Sequence, residues 1–168
     1  MPSAGVQETG IPMPDLTWLA PFAKYAHIAA MFAAVTIQVG SDHYFLKVAS
    51  DGDAATTSRL GHAIRRRGPI TGPILEIGIV FGLLTAVLGG INLLAPWLLM
   101  TYVLIAIGVA IVFRIGVPAF TGILEAADAG DNARVATLLA NGRYRTGALM
   151  NAVMYAAVLF LMVIKPLG

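Results

Sequence analysis

The chain has 168 residues, 58% of them hydrophobic and only 12% charged, with a mean hydropathy of +0.79. A water-soluble domain carries about 25% charged residues, and a chain of this length cannot hide so much apolar side chain in one core, so the composition points to a membrane protein. The absence of cysteine excludes a disulfide scaffold, thiol chemistry, CxxCH haem attachment and cysteine-based zinc or iron–sulfur sites, and the net charge of +2 bears on topology rather than on nucleic acid.

Residues 1–17 are rich in Pro, Gly and small polar residues without an apolar period, and are expected to form an irregular arm. The first basic residue is Lys24, too late for the basic start of a cleaved signal peptide, so the arm is expected to be retained. The first crossing is predicted over 18–39, a length suited to about 30 Å of hydrocarbon, with Trp18 and Tyr25 toward one interface. Ala23, Ala26, Ala30 and Ala34 form a stripe of small residues suited to a helix contact. The helix is expected to run on to about Val48 before the sequence SDGD breaks it.

The segment TSRLGHAIRRR carries Leu60 and Ile64 at i,i+4 beneath several arginines, a pattern for a short helix on the membrane surface. Arg65, Arg66 and Arg67 then face anionic lipid headgroups. A nucleic-acid or phosphate site is not expected, because neither an aromatic platform nor a Gly-rich cradle accompanies them.

From Glu76 to Arg114 there is no charged side chain, a run far longer than one bilayer crossing. It must turn back, and Asn92 to Pro96, with Trp97 directly after, supplies the turn. Crossings are therefore predicted over 73–95 and 97–117, joined as a transmembrane hairpin. Gly78, Gly82, Ala86 and Gly90 recur every four residues along the first of these, a ridge for close helix packing. Glu76 and Arg114 sit at one rim of the hairpin, with charges that suit the helix dipoles, and fit an ion pair or a cytoplasmic mouth. Helical extensions are expected over 119–127 and 132–139, and the fourth crossing over 147–164.

Lys47, Arg59, Arg65, Arg66, Arg67, Arg114, Arg134, Arg143 and Arg145 all fall in or beside the two long connections, and the Asn92–Pro96 turn holds no basic residue. By the positive-inside rule both connections are cytoplasmic and both termini lie outside. The fold read from the sequence is all-α: an integral membrane four-helix bundle over 18–168 with two basic cytoplasmic connections that carry short surface helices.

His27 is the one histidine at membrane depth, and with Met31 it lies on a side of the first helix that Gln38 continues. Intramembrane ionisable groups are rare and costly, so it invites a function: haem ligation, copper binding with Met31 and Met154, or proton handling. The competing reading gives it a single hydrogen bond to a neighbouring helix. A haem b or copper site needs further ligands at the same depth, and only thioethers are on offer there, so no cofactor is predicted. No nucleophile–base pair, HExxH, paired intramembrane carboxylates, Walker or dinucleotide motif occurs, so no catalytic residue is expected and an enzyme is not favoured.

A histidine in an alanine-rich first helix, arginines before a Gly-rich second, Trp97 after the turn, and LMVIKP at Leu161 to Pro166 resemble a bacterial family of predicted four-helix integral membrane proteins of unknown function. That family is loosely similar to the copper-resistance-D membrane domains. The resemblance implies a multi-pass protein of the bacterial inner (cytoplasmic) membrane. The favoured function is a structural or accessory subunit in contact with lipids and with a membrane protein partner or a second copy. The alternatives are a haem-, copper- or proton-handling protein centred on His27, and a small transporter acting as an oligomer.

Overall fold

The computed structural model describes residues 16–165, so most of the expected arm over 1–17, together with 166–168, lies outside the described residues. The architecture is all-α. In chain order the helices are α1 (Ala20–Asp51), α2 (Ala54–Arg65), α3 (Gly68–Leu88), α4 (Pro96–Ile111), α5 (Val117–Asp128), α6 (Asn132–Ala140) and α7 (Arg143–Ile164), and a π-helical turn, Val112–Gly116, joins α4 to α5. Four helical stretches, Ala20–Asp51, Ala54–Leu88, Pro96–Asp128 and Arg143–Ile164, are long and apolar enough to cross a membrane.

Local chemistry sets the breaks. Asp53 caps α2 by accepting from the Thr56 N–H at 2.7 Å, a bond that holds its carboxyl below the usual carboxylate range. Asp131 caps α6 in the same way through the Arg134 N–H at 2.9 Å. After α3 the chain reverses through Gly90, whose φ of 66° suits a residue without a Cβ, and Pro96 opens α4 with its ring in the first turn.

Several boundaries differ from the expected ones. At 32 residues α1 is roughly 48 Å long; as expected it outruns the crossing over 18–39, and it ends at Asp51, three residues past Val48 and within SDGD. Conversely, α3 begins at Gly68, carries Pro73 inside it, and ends at Leu88 rather than at 95, where the Gly89-Gly90 pair stops the ladder.

The pairing of helices is also different from the expected hairpin. Although α3 and α4 follow one another through the turn, α3 packs chiefly along α1, and α4 chiefly along α7. Small residues decide this. Gly78 and Gly82 let α3 approach Ala30, Met31 and His27 of α1, while Gly108 of α4 lies beneath Met154 of α7. At the end bearing the 89–95 turn, the Lys165 ammonium stands 5.7 Å from the ring centre of the buried Trp97, joining the end of α7 to the start of α4.

At the opposite end the two long connections fold together as a cap around Phe45, which is fully buried. Ala54 of α2, Ile123, Ala126 and Ala127 of α5, Val135 of α6 and Tyr144 of α7 form the cluster with it, and its ring centre lies 4.9 Å from that of Phe120, tilted, and 5.4 Å from that of Tyr144, edge to face. Leu60 and Ile64 pack against this cluster, and Gly61 faces Leu124 and Phe45. The apolar face of α2, expected on lipid, is therefore covered by protein: α5 offers it a matching apolar face that the sequence pattern of α2 alone does not reveal. Polar links fasten the two connections. Asn132 Oδ1 accepts from the Ala54 N–H at 2.7 Å, and Asp128 pairs with His62 at 3.0 Å and accepts from Ser58.

Candidate functional site

His27 lies in the seam between α1 and α3. Its Nδ1 is 2.6 Å from the carbonyl oxygen of Gly78. A carbonyl can only accept, so Nδ1 carries the proton and donates it. The same ring lies over Gly82, where a Cβ would come within 2.8 Å of Nδ1 and Cε1, and the Met31 sulfur would stand 2.8 Å from a Cβ on Gly78. Ala86 is buried further along the same helix, whereas Gly90 lies outside it, in the turn.

The thioethers are divided between the two helix pairs. Met31 sits with His27 in the α1–α3 seam, while Met154 is buried in the α4–α7 seam against Gly108. Among the described residues no group of three His, Asp or Glu side chains is placed to hold a metal ion. Of the residues His27, Met31 and Met154, the first two share one seam and the third lies in the other.

Glu76 and Arg114 are not brought together either. Both are exposed, one on α3 and the other in the π turn, and among the described residues the close acid–base contact is the hydrogen bond between His62 and Asp128 on the cap. The Arg114 carbonyl instead accepts from Arg143 Nη2 at 3.1 Å. Arg65, Arg66 and Arg67 are exposed where α2 passes into α3.

A second polar constellation joins α1 to α7 near the cap. Asp42 accepts from the Tyr144 hydroxyl at 2.7 Å and from Gln38 Nε2 at 3.1 and 3.2 Å. One turn of helix separates Gln38 from Asp42, so both reach the same face of α1. These side chains and Asn151 line a cavity of about 180 Å³, whose third wall is the π turn with Val112, Gly116 and Val117. There the Val117 N–H bonds the Val112 carbonyl five residues back. Such a widened turn is a frequent device at functional sites. Asn151 is buried, and its Oδ1 has no hydrogen-bond partner.

Sequence reasoning followed the Gln38 face of α1 but passed over Asp42, Tyr144 and Asn151. The available signals were the i,i+4 spacing of Gln38 and Asp42 and a lone amide within the apolar fourth crossing. The pairing with Tyr144 spans 102 positions and required the packing of α1 on α7.

No curated protein and no solved structure matches the chain, and no match links it to the copper-resistance-D domains. A family model described as "Predicted integral membrane protein (DUF2269)" matches residues 21–166, nearly the whole of the described structure. The chain belongs to that family of integral membrane proteins of unknown function.

Proposed function

We propose that this protein is a structural or accessory subunit of the bacterial inner membrane, one that packs against a membrane protein partner and holds no redox cofactor. The observation that carries this reading is the His27–Gly78 bond, which gives the intramembrane histidine a purpose in joining α1 to α3. The division of Met31 and Met154 between two seams supports it further. So does the slight burial of the four spans, of which only 11–22% is covered within the chain, leaving long lateral faces for lipid or a partner.

In the same reading the cap faces the cytoplasm and both termini face outward. The support is the positive-inside rule applied to the nine Lys and Arg residues in and beside α2, the π turn, α6 and the start of α7. Labelling of Ala55→Cys and Leu94→Cys in intact cells tests the orientation. Reaction of the second alone with an impermeant maleimide is expected, and reaction of the first alone reverses the assignment. Extraction into lipid-polymer discs tests the accessory role. The chain is expected to travel with one other membrane polypeptide in fixed ratio, and a lone monomer would contradict it.

A further inference from the structure

We propose that the chain is a covalently joined pseudo-dimer: residues 19–88 and 94–164 are two copies of one folding unit, and the units recognise each other through the cap. The sequence carries the register. Shifted by the step that takes Leu19 to Leu94, Leu19-Ala20-Pro21 falls on Leu94-Ala95-Pro96, Phe45 on Phe120, and Thr71-Gly72 on Thr146-Gly147. One constant step thus relates the beginning, the middle and the last helix of both segments.

The helices keep the same register. A proline in the first turn opens both α1 and α4. The stretch Ala20–Asp51 has 32 residues, and its counterpart Pro96–Asp128 has 33. The short helices α2 and α6 each follow a Gly-Asp pair, Gly52-Asp53 and Gly130-Asp131, whose aspartate caps the helix. That pair comes slightly later in the second unit, and α6 restores the register by being shorter, 9 residues against 12. Accordingly α3 starts at Gly68 and α7 at Arg143, again one step apart.

Packing supplies an independent observation. Within each unit the long helix pairs with the last one, and across the units α2 lies on α5 while α6 lies on α1. Such an exchange of equivalent contacts belongs to a two-fold interface, in which i meets j and j meets i. Matching helices run in the same direction, so the axis stands along the membrane normal. A residue touches its own counterpart only beside such an axis, and Phe45 and Phe120 do so, with ring centres 4.9 Å apart.

The units differ in one polar contact. Tyr144 of the second donates to Asp42 of the first, whereas the matching positions hold Pro69 and Val117, which cannot form that bond. The hydrogen bond therefore ties the units on one side of the axis only. Fusion permits this difference, because two separate identical chains would carry the same residues on both sides. The 89–95 turn then only connects units that the cap already holds. The proposal is independent of the accessory role and of the orientation in the membrane.

The experiment uses the full chain in detergent, with a protease recognition sequence inserted between Asn92 and Leu93 and an affinity tag at the C-terminus. After cleavage the untagged segment is expected to be retained with the tagged one in equal amounts. Phe45→Ala, which removes the centre of the interface, is expected to release it, whereas Met154→Ala, a truncation inside one unit, is expected to leave the segments together. A second measurement tests the repeat itself. A circular permutant that starts at Leu93, joins Ile164 to Ala20 by a copy of residues 89–95 and ends at Asn92 is expected to fold with the helical content of the parent, because a two-fold axis places both pairs of helix ends at like separation. The proposal is overturned if the wild-type segments part after cleavage, or if the Phe45→Ala segments stay together. It is equally overturned if the permutant with the copied turn is unfolded while one with a longer flexible linker folds, since Ile164 and Ala20 would then not be spaced as Leu88 and Pro96 are.

Discussion

His27 donates from Nδ1 to the carbonyl of Gly78 at 2.6 Å, and the same ring occupies the space that a side chain on Gly82 would need. One residue of α1 is thus held by a hydrogen bond at one turn of α3 and by close packing at the next. The two interactions depend on each other, because the ring reaches the carbonyl only when the helices approach as closely as Gly82 allows.

Gly82→Leu should therefore destabilise the protein by about 1–3 kcal/mol, the usual cost of forcing apart a filled contact. Val80→Leu, at a position 62% exposed on the same helix, should change stability far less. Denaturation of both variants in matched detergent, followed by tryptophan fluorescence, checks the difference. Equal stabilities would mean that the α1–α3 approach does not depend on Gly82.

The α4–α7 seam offers a compensating pair. A Cβ on Gly108 would overlap the Met154 sulfur and methyl, but that side chain is flexible and has room to be shortened. Gly108→Ala alone and Met154→Ala alone should each destabilise, while the double variant should recover a coupling of about 1 kcal/mol. A double-mutant cycle by thermal unfolding measures this, and strict additivity would mean that the two residues do not share the seam.

The seams were partly legible in the sequence; of the cap, the short helices were legible and their packing was not. A ridge at Gly78, Gly82 and Ala86, and an alanine stripe along the first crossing, are local patterns that each announce a close contact. Which helix meets which is not local, and the short turn at 89–95 suggested an α3–α4 pair where the structure forms α1–α3 and α4–α7. Likewise Leu60 and Ile64 read as a lipid-facing stripe, since the periodicity of a surface helix is the same whether lipid or α5 covers it. Asp42 was lost for a related reason. It is one acidic residue on a helix face, and its partner Tyr144 is brought by the fold from 102 positions along the chain.

Phe45 supports the cap most heavily. It is fully buried among residues of α2, α5, α6 and α7, so Phe45→Ala should cost about 3–5 kcal/mol. Limited proteolysis should then cut within 52–67 and 128–142, segments that the cap holds in place. Cleavage indistinguishable from that of the wild type would mean that the connections are held by something other than this cluster.

Tyr144→Phe keeps the ring that meets Phe45 edge to face and removes only the hydroxyl that serves Asp42. Leaving a part-buried carboxyl without one of its partners costs about 1–3 kcal/mol, so the variant should lose stability of that order while its cap remains protease-resistant. Loss of cap protection together with stability would show that the ring, not the hydroxyl, had been disturbed.

The most direct test of the accessory reading is the visible absorption spectrum and metal content of the wild-type and His27→Ala proteins, extracted from membranes without added chelator. The account predicts no Soret band and no stoichiometric copper or iron in either protein. It also predicts that His27→Ala loses about 1 kcal/mol of stability with its bond to Gly78, and weakens association with the membrane partner. A Soret band, or close to one equivalent of copper, present in the wild type and lost in His27→Ala would contradict it.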